Sequence, residues 1–246
     1  MYAPRLGPLT ETIRHCGIAV VNDPSAISDA PDVIFGAGVN ELATLAARFP
    51  RSPSVQVVQH WDSWESMPCP LPQVALYVAV DALNFELLTN EFGIAREKIR
   101  LVYNAVDVAH IAPRTKPLAP RPRRAFVFAK AAPGTDPRDY LPAIEEACAS
   151  RNIEVVCEGR LIGRTVTEPL EVLGQYDLVV GSARTALEAA ACGAAVLVAD
   201  GRGLAGMLTT SNFERFRVNN FGRELLVRLS IGIGLGPRIG IQKGPL

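Results

Sequence analysis

Residues 177–200 read DLVVGSARTALEAAACGAAVLVAD, the most informative run of the chain. A short β-prone run leads into Gly181, a helix-prone run of small residues follows, and Gly193 precedes a second β-prone run. Ser182 is predicted to cap the helix, because a serine hydroxyl accepts from the free N–H groups of a first turn. Gly193 is predicted to end the helix, because glycine readily takes the left-handed conformation found there. The pattern therefore predicts strand, tight turn, helix and strand, with the helix lying close to a parallel sheet.

A charged side chain, Glu188, interrupts the small residues about one turn into this predicted helix. Free N–H groups at a helix start attract phosphate, and a carboxylate one turn further on is placed to accept from a sugar hydroxyl. Arg184 opposes the helix dipole at its position unless an anion is bound there. The pattern thus predicts a nucleotide-sugar site. Its expected diphosphate contacts are Gly181, Ser182, Arg184 and Thr185. An ordinary Rossmann turn, with a glutamate that merely reaches solvent, is the alternative.

Two passages resemble one known family. GSARTALEAAACGAAVLVAD, at residues 181–200, resembles the donor-site segment of retaining glycosyltransferases of the GT-B fold, in particular the family 4-like enzymes. YVAVDALNFELLTNEFGIAREKIRLVYNAVD, at residues 77–107, resembles the passage that ends the first domain of these enzymes. The resemblance implies an α/β protein with two Rossmann-like parallel-sheet domains. It also implies transfer of a sugar from a nucleoside-diphosphate sugar to an acceptor, with retention.

The resemblance assigns roles to further residues. The family's ribose-binding glutamate matches Glu188, and a cation that neutralises the diphosphate matches Lys130, which follows the predicted strand at 125–128. His60 ends the predicted strand at 55–59, where the family places a histidine beside the transferred sugar, and it is our candidate catalytic residue. A sugar platform is expected beside it, formed by Trp61, Asp62 and Trp64. The class needs no metal or cofactor besides the donor substrate, because cations and helix dipoles act on the phosphates.

The sequence also departs from the family. Val180 stands where a sugar-contacting glutamate is usual, and no second cation follows Lys130 before Arg138. The family's first strand–helix unit, with its glycine-rich loop, is expected to be missing, so that the first domain is incomplete. These departures predict weak or absent transfer. They leave two alternatives open. One is a truncated, inactive GT-B-like protein that binds a nucleotide or a partner, and the other is a nucleotide-sugar epimerase, which the lack of histidine in the second half disfavours.

Predicted strands and helices alternate along the chain, which favours parallel sheets covered by helices. Strands are predicted at 18–22, 32–35, 55–59, 75–80, 99–102, 125–128, 153–157, 177–180 and 196–199. Helices are predicted at 9–15, 40–48, 82–92, 138–149 and 185–192, with a short one near 169–174. We group these into an acceptor-side domain at 1–110, a proline-rich linker at 111–124, a nucleotide-sugar-binding domain at 125–230 and a disordered tail at 231–246.

Composition narrows the choice of partners. The chain has 25 Lys and Arg against 25 Asp and Glu, so it has no net basic field to attract nucleic acid. Its five cysteines are scattered and odd in number, which predicts reduced thiols and a cytoplasmic location. The sequence has no apolar run of the roughly 18–20 residues that a membrane-spanning helix needs, which leaves peripheral membrane contact open. The acceptor is left open as a saccharide, a lipid or a small molecule.

Overall fold

The computed structural model of the protein describes residues 1–60, 63–129, 136–159, 162 and 172–227. A first sheet contains β1 (Ile34–Gly36), β2 (Ser54–Val58), β3 (Val74–Ala79) and β4 (Ile99–Leu101). A second sheet contains β5 (Arg124–Phe128), β6 (Glu154–Glu158), β7 (Leu178–Gly181), β8 (Ala195–Asp200) and β9 (Gly203–Met207). The α-helices of the described residues are α1 (Thr10–His15), α2 (Val39–Arg48), α3 (Ala82–Asn90), α4 (Pro137–Ala149), α5 (Arg184–Ala191) and α6 (Phe213–Val218).

The first sheet is parallel throughout, with strand order β1-β2-β3-β4. Every second residue of β2 is buried, as expected for a sheet with one well-covered face. Val58 on that face shares a buried apolar cluster with Leu42 of α2 and Leu88 of α3. Packing of these helices therefore fixes the direction of the strands, and the residues that follow β2 and β3 emerge at the same edge.

The second sheet has strand order β6-β5-β7-β8-β9, with β9 antiparallel to its neighbour and the other strands parallel. From β5 the chain passes through α4 to β6 on one side, and then crosses to β7 on the other side of β5. The strand order therefore reverses between β5 and β7. In open parallel sheets, ligands bind outside the carboxyl ends of the strands at such a point of reversal.

Small residues let α5 lie close to the second sheet. Ala186 and Ala189 of this helix are fully buried in one cluster with Phe126 of β5 and Val179 of β7. A larger side chain at either alanine would push the helix away from the strands, because protein interiors are close-packed. This packing places the start of α5 directly beyond the carboxyl end of β7.

The predicted fold class, α/β with two Rossmann-like parallel sheets, is confirmed. The predicted strand at 18–22 is wrong. In that run Val21 forms only an isolated bridge with Tyr2, and Val20 alone is buried, so no alternating buried face fixes a strand. β9 and α6 were not predicted. The tail at 231–246 and most of the helix near 169–174 lie outside the described residues, although a 3₁₀ turn occupies Leu173–Gln175.

The proline-rich segment 111–124 is attached to the second sheet. Ile111 is buried in the same cluster as α5. The Arg114 guanidinium donates to the Tyr176 carbonyl over 2.8 Å and to the Asp177 carboxylate over 3.1 Å. The other Asp177 oxygen accepts from the backbone N–H of Arg123 over 2.9 Å. These bonds, first of all the one from Arg123, hold the pKa of Asp177 below its ordinary value.

We expect Asp177→Asn to lower the free energy of unfolding at neutral pH by about 1–3 kcal/mol, because it weakens hydrogen bonds to a charged group. A lowered pKa means that Asp177 stabilises the fold above its unfolded pKa and loses this effect as the pH falls through the folded value. The difference between wild type and variant should therefore shrink on acidification. Urea unfolding at neutral and acid pH measures both effects. Asp32→Asn, at an exposed aspartate, is the control, and equal unfolding of the Asp177 variant and wild type at neutral pH would contradict the expectation.

Candidate functional site

The turn between β7 and α5 lies at the reversal of strand order, where the sequence predicts the diphosphate site. A Cβ atom at Gly181 would lie only 3.0 Å from Cγ2 of Thr185, so glycine is needed for the close approach of helix and strand. The residue that caps α5 is Ala183, with φ 53° and ψ −131°. Residues with a Cβ atom avoid this region, and such strain persists only where surrounding contacts enforce it. One enforcing contact is the Ala183 N–H, which donates to the Phe221 carbonyl over 2.8 Å.

The prediction that Ser182 caps α5 is wrong. The hydroxyl of Ser182 donates to Oδ2 of Asp200 over 2.6 Å, and both residues are buried. No side chain of the described residues caps α5. The helix start therefore presents its N–H groups without a side-chain acceptor, which is the condition for binding an anion there.

Asp200 ends β8 and joins Ser182 to Arg202. Its two oxygens accept from the Arg202 guanidinium over 3.1 and 2.7 Å, and Oδ1 also accepts from the Arg202 backbone N–H over 2.9 Å. Burial on its own raises the pKa of Asp200, but the hydrogen bonds from Arg202 and Ser182 outweigh it and hold the pKa below its ordinary value. The carboxylate therefore stays ionised in the interior and fixes the ends of β7 and β8 relative to each other.

Glu188 lies one turn into α5 and is buried, with 7% of its surface exposed. Its Oε1 accepts from Nε of Arg184 over 2.7 Å, one helical turn earlier. The Arg184 side chain is 69% exposed, so its guanidinium partners a buried carboxylate while it remains open to solvent. The structure thus brings together Glu188 and Arg184 at the helix start, beside Gly181, Ser182 and Thr185. Their binding roles stay predictions.

Lys130 lies outside the described residues. The preceding residue, Ala129, is buried at the carboxyl end of β5 and donates its N–H to the Glu158 carbonyl over 2.7 Å. β5 pairs directly with β7, with Val127 opposite Val180. The chain therefore leaves β5 next to the Gly181 turn. Val180, the position at which the sequence resemblance predicted a departure from a sugar-contacting glutamate, is buried in β7 as a core residue.

His60 is one of the ionisable residues near Asp81, which also include Glu224 of the second half. It lies two residues beyond β2, and Asp81 lies two residues beyond β3, whose pairing sets Val58 opposite Ala79. Oδ1 of Asp81 accepts from the Asn84 N–H over 2.8 Å and so caps α3. Burial raises the pKa of Asp81, and the hydrogen bonds from the Asn84 backbone and side chain oppose this rise. Of the nearby charges, the Glu224 carboxylate raises this pKa further and His60 lowers it.

The sequence analysis did not predict that Asp81 and Glu224 lie among the ionisable residues of this region. Asp81 could have been found, since it is a carboxylate that follows a buried strand at the same sheet edge as His60. Glu224 belongs to a 3₁₀ turn, Arg223–Leu225, and no local pattern indicates that this turn comes near β3. Asp81 is thus influenced both by His60 of the first half and by Glu224 of the second half.

A cavity of about 300 Å³ lies at the start of α2. It is lined by Pro4, Arg5, Gly38, Asn40, Glu41, Trp64 and Glu65. Trp64 is 60% exposed, so most of its ring is free to meet a ligand. The other expected members of the sugar platform, Trp61 and Asp62, lie outside the described residues.

The described residues form neither a metal centre nor a membrane-spanning segment. Within the described residues, His, Cys, Asp and Glu side chains form no group that could hold a metal ion. No helix in the same part of the chain is both long enough and apolar enough to cross a bilayer. All five cysteines lie in the described part of the chain, and none of them forms a disulfide bond.

No known protein-family profile matches the chain, and no curated protein sequence matches it significantly. Solved structures with a similar fold include the lipopolysaccharide outer core galactosyltransferase WaaB in its apo form, a glycosyltransferase from Rickettsia africae ESF-5, and a GtfA/B complex. The TM-scores are 0.44, 0.48 and 0.46, at identities of 15%, 11% and 13%. The matches cover 68%, 77% and 76% of this chain, but 56%, 68% and 44% of the other chains. The chain thus spans about half the length of WaaB, and the likeness concerns the fold alone.

We expect Ala183→Gly to raise the free energy of unfolding by about 1 kcal/mol, because glycine adopts the observed backbone conformation without strain. Ala190→Gly is the matched control, since it makes the same change inside α5, where glycine costs roughly 0.5–1 kcal/mol. Thermal unfolding of both variants measures the difference. A loss of stability in Ala183→Gly as large as that in the control would show that the turn is not strained.

We expect Asp81→Asn to stabilise the protein at neutral pH. The amide oxygen still accepts from Asn84, while the charge beside Glu224 is removed. A raised pKa means that ionised Asp81 costs stability above the folded value, and that this cost vanishes as the pH falls and the carboxyl is protonated. The gain should therefore close on acidification.

A second aspartate that caps a helix, but whose pKa is shifted in the opposite direction, serves as the control for Asp81. Asp107 also caps a helical turn, but a hydrogen bond with the His110 side chain is the main cause of its lowered pKa. Asp107→Asn should therefore lose stability at neutral pH. Thermal unfolding from neutral to acid pH tests both variants. An unchanged or lower Tm for Asp81→Asn at neutral pH would show that ionised Asp81 does not destabilise the fold.

Proposed function

We propose that the turn between β7 and α5 binds the diphosphate and ribose of a nucleoside-diphosphate sugar, and that the chain belongs to the GT-B glycosyltransferases that act with retention. The observation that carries the proposal is the buried Glu188 carboxylate, one turn beyond a helix start without a side-chain cap. Both lie where the strand order of the second sheet reverses. A buried carboxylate is costly unless something compensates it, and its present partner, Arg184, is largely exposed.

Binding of the donor uses the Arg184–Glu188 pair as an exchangeable contact. The diphosphate is drawn to the N–H groups of the helix start, and the Arg184 guanidinium turns from Glu188 to the phosphate oxygens. Glu188 then accepts from the ribose hydroxyls in place of the guanidinium. Each group thus exchanges one charge-assisted hydrogen bond for another, which keeps the carboxylate compensated throughout.

Glycosyl transfer requires stabilisation of the departing diphosphate. In our proposal Lys130, Arg184 and the start of α5 supply this stabilisation, since fixed cations and dipoles aimed at developing charge lower the barrier. His60 lies beside the transferred sugar at the edge of the first sheet. The acceptor is held by the first half, where the exposed face of Trp64 and the carboxylates of Glu41 and Glu65 suit a saccharide.

A second candidate is a protein that binds the nucleotide sugar without transferring it. The buried Val180 favours this reading, because the position that would contact the donor sugar belongs to the core of the second sheet. Turnover of a radiolabelled nucleotide sugar, compared with nucleotide binding, separates the two. Binding with transfer near 1 s⁻¹ or faster, a rate normal for enzymes, would exclude the second candidate. The epimerase alternative lacks a supporting observation, since the second half contains no histidine.

We expect Glu188→Ala to weaken binding of uridine or guanosine diphosphate roughly tenfold or more, since hydrogen bonds to a charged group contribute about 1.5–3 kcal/mol. Arg184→Ala should also weaken binding, because the phosphate loses a cation. Isothermal titration calorimetry measures both affinities, with far-UV circular dichroism as the check on folding. Glu214→Ala, at an exposed glutamate on α6, is the matched control. Unchanged affinity in a folded Glu188→Ala protein would remove Glu188 from the site.

A further inference from the structure

A loop after α6, residues 219–222, carries two adjacent residues in the left-handed region. Asn220 has φ 51° and Phe221 has φ 49°. Asparagine tolerates this conformation, but phenylalanine rarely adopts it. Backbone outliers of this kind persist only where the surroundings hold them, and they cluster at functional sites. We call residues 219–222 the left-handed loop.

The left-handed loop touches both halves of the chain. On one side, Oδ1 of Asn220 accepts from Nδ2 of Asn104 over 2.8 Å. Asn104 follows β4 of the first sheet. On the other side, the Phe221 carbonyl accepts from the N–H of Ala183 over 2.8 Å. Two consecutive residues thus join the end of the first sheet to the strained turn that starts α5.

Packing makes this connection rigid. The Phe221 ring is buried, with its centroid 5.7 Å from that of Phe213 and 6.4 Å from that of Phe216. The Phe221 N–H donates to the Phe216 carbonyl over 2.7 Å. Next to the Asn104 contact, the guanidinium of Arg217 lies 4.6 Å from the centre of the Tyr103 ring. Because these contacts hold the Phe221 ring and N–H, we expect a displacement of Asn220 to displace the Phe221 carbonyl as well.

We propose that Asn104 and Asn220 are positioning residues for the anion-binding turn, so that the first half of the chain sets the nucleotide affinity of the second. The inference rests on the proposed function for its ligand but not for its geometry. The Asn104–Asn220 hydrogen bond keeps the left-handed loop in place, and the loop holds the Ala183 N–H. This leaves the following N–H groups of α5 directed outward for the diphosphate. Without the bond, the turn loses part of what enforces its strained conformation.

The test uses two variants that break the bond from opposite sides. Asn104→Ala removes the donor. Asn220→Gly removes the acceptor while favouring the left-handed backbone, so its effect is not due to backbone strain. Asn219→Ala is the matched control, because Asn219 lies in the same loop with φ −101° and, within the described residues, its side chain donates locally to the Arg215 carbonyl. Asn220→Asp keeps both the acceptor and the tolerance for positive φ.

Two readouts are required, both on the full chain. Amide hydrogen exchange followed by NMR reports whether the Ala183 N–H is still protected, and calorimetry reports the affinity for uridine and guanosine diphosphate. We expect Asn104→Ala and Asn220→Gly to speed exchange at Ala183 and to weaken nucleotide binding about threefold to tenfold, the range for one lost hydrogen bond. The double variant should lose no more than either single one. Asn219→Ala should match the wild type in both readouts, and Asn220→Asp should retain protection of Ala183.

The outcomes separate this inference from the proposed function. Unchanged Ala183 exchange in both bond-breaking variants would overturn the inference whether or not nucleotide binds. Faster exchange with unchanged nucleotide affinity would overturn it as well, since the contact would then be structural only. A wild-type chain that binds neither nucleotide would refute the proposed function, and the positioning role for that ligand with it, while the exchange result would still decide whether the two halves are coupled.

Discussion

The buried carboxylate of Asp200 is the contact on which the candidate site depends. It stands at the end of β8 and accepts from Ser182 at the end of β7, so it draws the Ser182 hydroxyl into the interior. Ser182 also lies one residue before Ala183, which occupies the N-cap position of α5, so its hydroxyl does not accept from the N–H groups of the helix start. Because Asp200, whose charge Arg202 compensates, engages the Ser182 hydroxyl, and Ala183 has no side-chain acceptor, the start of α5 meets the condition for the anion binding that we propose.

The second constraint is the strain at Ala183, which is compensated outside the turn. A backbone outlier costs on the order of 1–3 kcal/mol, and here three occur in two segments joined by a hydrogen bond, at Ala183, Asn220 and Phe221. Burial of the Phe221 ring against other aromatic rings contributes stabilisation of similar size. In our proposal α6 does not contact the ligand. Its packing nevertheless maintains the geometry of the Ala183 turn, which does contact the ligand.

The sequence predicted those features that depend on local pattern. The run at residues 177–200 folds as its β-prone and helix-prone segments indicate, and Glu188 was found because a charge interrupts small apolar residues. Ser182 was misassigned because its partner, Asp200, lies 18 residues away. The Asn104–Asn220 bond spans 116 residues, so no spacing could indicate it. β9, Gly203–Met207, was missed because its glycines hide the alternation of a strand, and pairing with β8 determines it instead.

The contacts between the two halves are weak, and they include both attractive and repulsive interactions. In the described part of the chain they include one neutral hydrogen bond, Asn104 with Asn220, worth about 0.5–1.5 kcal/mol net. The cation–π contact of Arg217 with Tyr103 adds about 0.5–1 kcal/mol. Against these stands the repulsion between the carboxylates of Asp81 and Glu224, which nearby His60 opposes. Because these contacts nearly cancel, a bound charged ligand can easily shift the equilibrium between associated and separated halves. It does so by its difference in affinity for these two states. Because the Asn104–Asn220 bond also supports the loop that holds the Ala183 turn, a diphosphate that binds and orders this turn, as we propose, would also favour the approach of the first half.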